Sequence, residues 1–304
     1  MKTLVTGREG QVVQSLLEKA AQRPDLEVIA LGRPELDLTM PDTVRSAIEA
    51  IKPDVVVSAA AYTAVDLAED EQELAFAVNA IGAEAVAEAA KTCGVPVIHL
   101  STDYVFAGDA DKPYVETDVT GPRSVYGSSK LEGELLVAQA NPRHIILRTA
   151  WVYSPFGKNF VKTMLKLAET RDALSVVSDQ WGNPTSALDI ADAIIQVADH
   201  LAAAPEFSAY GVYHLAGTGD TNWSGFAHAI FDESARLGGP TATVTDIATA
   251  DYPTKAVRPA NSRLSTAKFQ QAFNWSAPHW KSSLRDVVSR LVWLSAKEAQ
   301  NSNY

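Results

Sequence analysis

Short apolar runs alternate with longer amphipathic ones through the first half of the chain. Lys2–Thr6 reads as a strand, and Gln11–Ala21 as a helix with Val12, Leu16 and Leu17 turned inward. Glu27–Leu31 is the next strand and Thr43–Ile51 the next helix. Asp54–Ser58 (Asp-Val-Val-Val-Ser) is apolar without alternation, the pattern of a strand buried on both faces. An alanine-rich helix from about Glu71 to Thr92, a strand at Val95–Leu100, a helix at Tyr126–Ala140 and a strand at His144–Leu147 complete the series. Continuous apolar strands separated by helices predict a parallel sheet covered on both faces, with ligands at the carboxyl ends of its strands.

The regular alternation stops near residue 150. Helices are predicted near Phe160–Glu169, Leu188–His200, Trp223–Arg236 and Trp280–Trp293, and Gly211–Ala216 (Gly-Val-Tyr-His-Leu-Ala) reads as one more core strand. The expected division gives residues 1–150 to a dinucleotide-binding part that about 185–217 rejoins. Residues 151–184 and 218–304 belong mainly to a smaller, interleaved substrate-binding part. The last few residues, through Asn301-Ser-Asn-Tyr304, look frayed.

The net charge of -11 and isoelectric point near 5.0 argue against a nucleic-acid surface or an anionic membrane as partner. Anionic ligands then need local donors, such as a helix N-terminus or single arginines. Cys93 is the only cysteine, so neither an internal disulfide nor a thiolate metal cluster can form. The six histidines are scattered without ligand spacing, and no catalytic metal is expected. No apolar run reaches a membrane span. The strand pattern beginning at Lys2 leaves no room for a signal peptide, so a cytoplasmic protein is expected.

Thr6-Gly7-Arg8-Glu9-Gly10-Gln11-Val12-Val13 falls where the first strand turns into the first helix. Glycine there permits a tight turn and lets backbone N–H groups approach a pyrophosphate at a helix N-terminus. The pattern is Gly-x-x-Gly-x-x-Val, so Val13 stands where a Rossmann-type fingerprint has its last glycine, the one that permits close helix–strand packing. Val13 must push the helix outward or find a slot. A plain strand-to-helix turn is the alternative reading of this segment. After the second strand come Leu31-Gly32-Arg33, with no carboxylate until Glu35. An arginine at that point suits the 2′-phosphate of NADPH, whereas an acidic residue would suit NADH. NADPH with Arg33 as phosphate partner is therefore expected, NADH remaining possible; the alternative is a solvated loop arginine.

Tyr126-Gly-Ser-Ser-Lys130 carries the candidate chemistry. A tyrosine and a lysine four residues apart share one helix face, and none of the other eight tyrosines has a lysine at that spacing. An ammonium beside a phenol favours the phenolate and would bring the tyrosine toward neutral-pH proton transfer. Following a nucleotide-binding turn, the pair suggests hydride transfer to or from a carbonyl carbon.

These segments resemble the extended short-chain dehydrogenase/reductases. Further blocks resemble the dTDP-4-dehydrorhamnose reductase family among them: Ala59-Ala-Ala-Tyr-Thr-Ala-Val-Asp66, Val78-Asn79, Leu100-Ser-Thr-Asp-Tyr-Val-Phe106, Tyr126-Gly-Ser-Ser-Lys-Leu-x-Gly-Glu134 and Arg148-Thr-Ala-Trp-Val-Tyr153. Asn183-Pro-Thr-Ser-Ala-Leu-Asp-Ile-Ala-Asp192, Tyr213-His-Leu-Ala-Gly217 and Arg258-Pro-Ala-Asn-Ser-Arg-Leu264 continue the match in family order to about residue 290.

The resemblance implies NADPH-dependent reduction of a dTDP-linked 4-ketohexose, giving dTDP-L-rhamnose. It implies that Thr102 hydrogen-bonds the C4 carbonyl, that Tyr126 delivers the proton, and that Lys130 holds the nicotinamide ribose and lowers the Tyr126 pKa. Gly7, Gly10, Gln11, Val12, Arg33, Asp37, Leu38, Ala59, Ala60 and Ala61 would contact the cofactor, together with Tyr126 and Lys130. Thr63, Val65, Asp103 and Trp151 would line the sugar pocket, and Arg258 and Arg263 would hold the diphosphate.

Two other functions share the scaffold. One is a catalytically silent regulatory subunit of the kind that accompanies methionine adenosyltransferase; the other is a sugar-nucleotide epimerase or dehydratase. The presence of Thr102, Tyr126 and Lys130 together favours the reductase. A homodimer is left open, because an apolar helix face can belong to a core or to an interface.

Overall fold

The structure, a computed structural model, describes residues 1–301. Its centre is a six-stranded, wholly parallel sheet built from β1 (Lys2–Thr6), β2 (Glu27–Leu31), β3 (Val55–Ser58), β4 (Val97–Thr102), β5 (His144–Thr149) and the later strand Gly211–His214. The spatial order is Gly211–His214, β5, β4, β3, β1, β2. The chain therefore winds one way from β1 to β2 and the other way from β3 onward. The crevice at the carboxyl ends of β1 and β3 is the place where such a sheet binds ligands. This is the Rossmann-type doubly wound fold that the apolar runs imply.

Adjacent strand residues enter opposite cores. Val5, Val57, Ile98, Ile145 and Leu147 pack with α1 (Gln11–Ala20) and helix Ala187–Ala203. Leu4, Val56, Val97 and Ile146 pack on the other face with helices Pro41–Ile51, Gly82–Thr92 and Val125–Ala140. The two-residue strand period thus sends side chains to both faces, which is why these strands are apolar without alternation.

Several element ends differ from the sequence expectation for local reasons. Pro41 opens the second helix two residues early, since proline suits a first helical position. β4 extends through Thr102, carrying that residue to the strand's carboxyl end. The alanine-rich helix is broken: Gln72–Phe76 is α-helical, Ala77–Ile81 is a π-turn, and Gly82–Thr92 resumes the α-helix. Within the π-turn Asn79 is buried; its Oδ1 accepts from the Tyr62 N–H at 2.8 Å, and its Nδ2 donates to the Tyr62 carbonyl at 3.0 Å and to Ser129 Oγ at 3.0 Å. The final helix runs from Trp280 to Asn301. Of the end expected to fray, 302–304 lie outside the described residues.

The remaining chain forms a smaller layer. Its strand Ala173–Val177 pairs in parallel with Thr243–Ile247, and Val152–Tyr153 pairs with Thr185–Ser186. A separate apolar core holds helices Phe160–Ala168, Trp223–Arg236 and Trp280–Asn301 together, with Tyr153, Phe226 and Trp280 at its centre.

Val13 has found a slot. It is 2% exposed and lies in the core beneath the first turn, where a Cβ on Gly7 would meet its Cγ2 at 3.4 Å. Val12 and Leu17 are only partly buried against that core, so the inward face of α1 is carried by Val13 and Leu16 rather than by Val12 and Leu17. A valine that fills its space is a stabilising feature, not a defect of the turn. Val13→Gly is expected to lower stability by about 2–4 kcal/mol, from the lost buried side chain and the glycine added to a helix. Urea unfolding checks this; an unchanged or higher midpoint would contradict it.

Candidate active site

The first turn is built around Gly7, whose φ of +100° lies in the left-handed region that glycine tolerates. Thr6 Oγ1 accepts from the N–H groups of Ala59 and Ala60 at 3.0 Å each, tying β1 to the loop after β3. Gly10 caps α1 without a side-chain hydrogen bond, so the helix's first N–H groups stay available. A cavity of about 530 Å³ opens there, bordered by Gly7, Arg8, Arg33, Asp37, Leu38, Ala60 and Ala61. Its size, uncapped helix start and arginines fit the adenosine and phosphate portion of a dinucleotide.

Not every expected cofactor residue presents its side chain to this cavity. Gln11 Oε1 accepts from Ser154 Oγ at 2.8 Å and Asn159 Nδ2 at 3.0 Å, which joins the first helix to the smaller layer. Gln11 and Val12 thus have only backbone N–H groups to offer. Ala59 packs against the core rather than bordering the cavity. The Asp37 carboxylate accepts from the Thr39 N–H at 2.9 Å and hydroxyl at 2.8 Å, and these bonds hold it below the usual carboxylate range.

Helix Val125–Ala140 carries Tyr126 and Lys130 and is capped by Ser124, whose Oγ accepts from the Gly127 N–H at 3.1 Å. Two glycines let the helix lie close: a Cβ at Gly127 would strike the Tyr104 carbonyl, and one at Gly133 would strike the Asn79 carbonyl. Farther along the helix, buried Glu134 receives Arg148 Nη2 at 2.6 Å, Arg148 Nε at 2.9 Å and the Ser101 hydroxyl. The helix is thereby fixed to β4 and β5.

Lys130 is 2% exposed; its Nζ donates to the Leu100 carbonyl at 2.6 Å and lies 3.4 Å from His99 Nε2. Burial lowers its pKa to about 8, opposed by the charge of Glu134. Burial likewise keeps His99 neutral; its Nδ1 lies 3.0 Å from Ser58 Oγ. Half-buried Tyr126 packs edge-on against Tyr104, ring centroids 5.5 Å apart. Burial raises the Tyr126 pKa, a hydrogen bond with Thr102 opposes the rise, and Asp103 adds to it. This reverses the sequence expectation, since Lys130 is turned to the β4 carbonyl and does not pull the phenol down.

Thr102 Oγ1 donates to Asp103 Oδ1 at 3.1 Å and accepts from the Tyr104 N–H at 3.2 Å. Thr102, Tyr126 and Lys130 therefore gather where β4 ends. Their contacts reach both cavities: Tyr104 walls a larger one of about 840 Å³, and Ser129 leads through Asn79 to Tyr62 at the smaller one.

The larger cavity is bordered by Trp151, Trp223, Gln180, Arg171, Arg258 and Asp66 among others. Trp151, at φ +50°, stacks on Trp223 with centroids 3.6 Å apart. Gly182 leaves room for its ring, because a Cβ there would come within 2.5 Å of the indole. Arg258 borders the cavity while its Nη1 donates to Tyr104 Oη at 3.1 Å and its Nη2 pairs with Asp66.

Arg263 is elsewhere: it donates to Asn261 Oδ1 at 2.7 Å and the Asp111 carbonyl at 2.8 Å, and so does not border this cavity. Thr63 is exposed and Val65 half-buried at the start of the short helix Val65–Ala68. In that segment Asp66, not its expected neighbours, reaches the cavity wall. Arg171, Gln180 and Trp223 were missed by sequence reasoning, since an isolated arginine, glutamine or helix-starting tryptophan carries no spacing signal. Asp66 sits inside a motif already quoted. Among the described residues no three His, Cys, Asp or Glu side chains cluster as metal ligands.

Residues 1–293 match the family described as the RmlD substrate binding domain. The chain belongs to that family. It is 51% identical over 302 residues to a dTDP-4-dehydrorhamnose reductase of Sinorhizobium fredii, covering 99% of this chain and 100% of the relative. The crystal structure of a dTDP-4-dehydrorhamnose reductase from Clostridium acetobutylicum superposes with a TM-score of 0.87 at 38% identity, covering 96% of this chain and 99% of the other. That of a dTDP-4-dehydrorhamnose reductase from Bacillus anthracis, in complex with NADP, gives 0.87 at 33% identity and covers 94% and 98%. Thr102 and Tyr126 lie behind the cavity walls, with Tyr104 between Tyr126 and the larger cavity.

Asp103 gives the site a pH signature. It is 4% exposed, and burial pushes its carboxyl from 3.8 to about 6, with Ser262 and Thr102 opposing. The folded state then holds the proton more tightly than the unfolded state does. Its destabilising effect is absent below about pH 4, grows as pH rises toward 6, and is constant above that. Asp103→Asn keeps an acceptor for Thr102 and is expected to raise stability by roughly 1–3 kcal/mol at pH 8, with little change at pH 4. Urea unfolding at the two pH values checks the sign; equal effects at both would contradict it.

Proposed function

We propose that the chain is an NADPH-dependent sugar-nucleotide oxidoreductase that reduces the C4 ketone of dTDP-6-deoxy-L-lyxo-4-hexulose (dTDP-4-dehydrorhamnose) to dTDP-L-rhamnose. The observation that carries this reading is the placement of Tyr126 beside Thr102 at the carboxyl end of β4, with contacts leading to both cavities. The identities of its relatives support the substrate class. NADPH, its adenosine and phosphates held by residues of the smaller cavity such as Gly7 and Arg33, would supply the hydride.

The chain's own groups do the rest. Thr102, whose hydroxyl proton must leave Asp103 for the ketone oxygen, donates a hydrogen bond where negative charge develops as the carbonyl is reduced, and such a donor stabilises that charge as it forms. Tyr126 keeps its proton at neutral pH because its pKa is raised, so it is in the correct state to give that proton to the nascent alkoxide. Lys130 holds the nicotinamide ribose and stays largely cationic below its pKa of about 8. Trp151 borders the sugar, Asp103 acts on it through Thr102 from behind the cavity wall, and Arg258 and Arg171 grip the diphosphate, guanidinium being suited to phosphate oxygens. Arg258 must exchange Asp66 for the diphosphate to do so.

All these groups come from one chain, so the reading holds equally for a monomer or a homodimer. No step needs a metal, a nucleic acid or a membrane. Among the described residues no helix is long and apolar enough to cross a membrane, in keeping with a cytoplasmic biosynthetic enzyme.

Tyr126→Phe is expected to cut turnover by roughly two to four orders of magnitude, the usual scale for a general acid, while NADPH still binds. Loss of NADPH absorbance with the ketosugar, beside a dinucleotide titration, checks both parts. Near-wild-type turnover would remove Tyr126 from the mechanism.

A further inference from the structure

The smaller cavity is bordered by two guanidinium groups, Arg8 and Arg33. Arg8 leaves the turn after β1 and lies across Gly32 at the end of β2, where a Cβ on Gly32 would meet Arg8 Cγ at 3.3 Å. Its Nη2 then reaches Glu35 Oε2 at 2.5 Å, with the two side chains 46% and 55% exposed. At this edge of a doubly wound sheet, the residues after β2 read the 2′ position of the adenosine ribose. A carboxylate there accepts from a free hydroxyl, whereas a guanidinium pairs with a phosphate. This chain offers both groups, locked together.

We propose that Arg8 reads the 2′-phosphate alongside Arg33, and that Glu35 is an intramolecular competitor holding Arg8 until a phosphate displaces it. The inference rests on the NADPH reading above and adds the residues that set cofactor preference. Arg33 is the less encumbered of the two arginines, because the acidic neighbour Asp37 is already engaged by Thr39. Arg8 needs an exchange of partners. An exposed ion pair such as Arg8–Glu35 is weak, and a phosphate offers more acceptor oxygens and more charge than one carboxylate. Glu35, once displaced, stays nearby as a like charge and opposes the phosphate. It therefore narrows the preference for NADPH over NADH without abolishing it.

The test is equilibrium binding of NADPH and of NADH, without sugar, to the wild-type protein, Glu35→Gln and Arg8→Met. Both positions are well exposed, and matched thermal midpoints verify the fold. Glu35→Gln is expected to tighten NADPH by about two- to fivefold, the scale of an exposed ion pair, and to leave NADH unchanged or weaker. Arg8→Met is expected to weaken NADPH by roughly tenfold or more, with NADH within about twofold. Equal weakening of both dinucleotides by Arg8→Met, or NADPH binding not tightened by Glu35→Gln, overturns the assignment of Arg8 and Glu35 while leaving the reductase reading standing. A wild-type protein that binds neither dinucleotide overturns both.

Discussion

The helix that carries Tyr126 and Lys130 is fixed to the sheet by a charge pair taken out of water. Removing Glu134 and Arg148 from solvent costs several kcal/mol for each ion, and such a pair is tolerable only with good geometry and satisfied neighbours. Here two guanidinium nitrogens and the Ser101 hydroxyl converge on one carboxylate. Because Ser101 adjoins Thr102 on β4 and Glu134 lies one helical turn beyond Lys130, the pair sets the register between β4 and the helix that carries Tyr126. Gly127 and Gly133 make the approach close enough for that register to matter. Losing one partner would leave the other charge buried and unpaired, so the arrangement favours a single alignment.

Around this rigid centre, three basic side chains are held in exposed or half-exposed pairs. Arg8 is held by Glu35, Arg258 by Asp66, and Lys255 by Asp70. A chain with a net charge of -11 repels a diphosphate at long range, so recognition depends on local donors. Pairing keeps those side chains oriented while leaving them weakly bound, and a phosphate can take over a guanidinium at modest cost. The buried pair and the exposed pairs thus differ: one sets geometry, while the others leave their cations open to exchange.

Much of this was legible in the sequence, and the rest failed for specific reasons. The strands of the sheet show themselves because both faces are buried, and Tyr126, Lys130 and Thr102 because helix spacing and strand ends constrain where side chains go. The π-turn at Ala77–Ile81 left no mark in an alanine-rich run, since it is specified by Asn79 contacts from distant Tyr62 and Ser129. Of the two outcomes open to Val13, the slot was not visible in the motif position because the surrounding core provides it. The Tyr126–Lys130 spacing put both residues on one helix but did not foretell the electrostatics, because the Leu100 carbonyl receives the ammonium. Arg263 resembled a phosphate ligand by context, yet Asn261 and the Asp111 carbonyl claim it. Long-range partners, not local pattern, decided each of these.

The most direct test of the central claim is the fate of a labelled hydride. The protein would be given dTDP-4-dehydrorhamnose and NADPH deuterated at nicotinamide C4, and the product sugar read by NMR for both label-bearing positions of the cofactor. The account predicts deuterium at sugar C4, from one face of the nicotinamide only, with the new hydroxyl proton exchanging with water. Deuterium at another sugar carbon, or a sugar converted without label from either position, would contradict it.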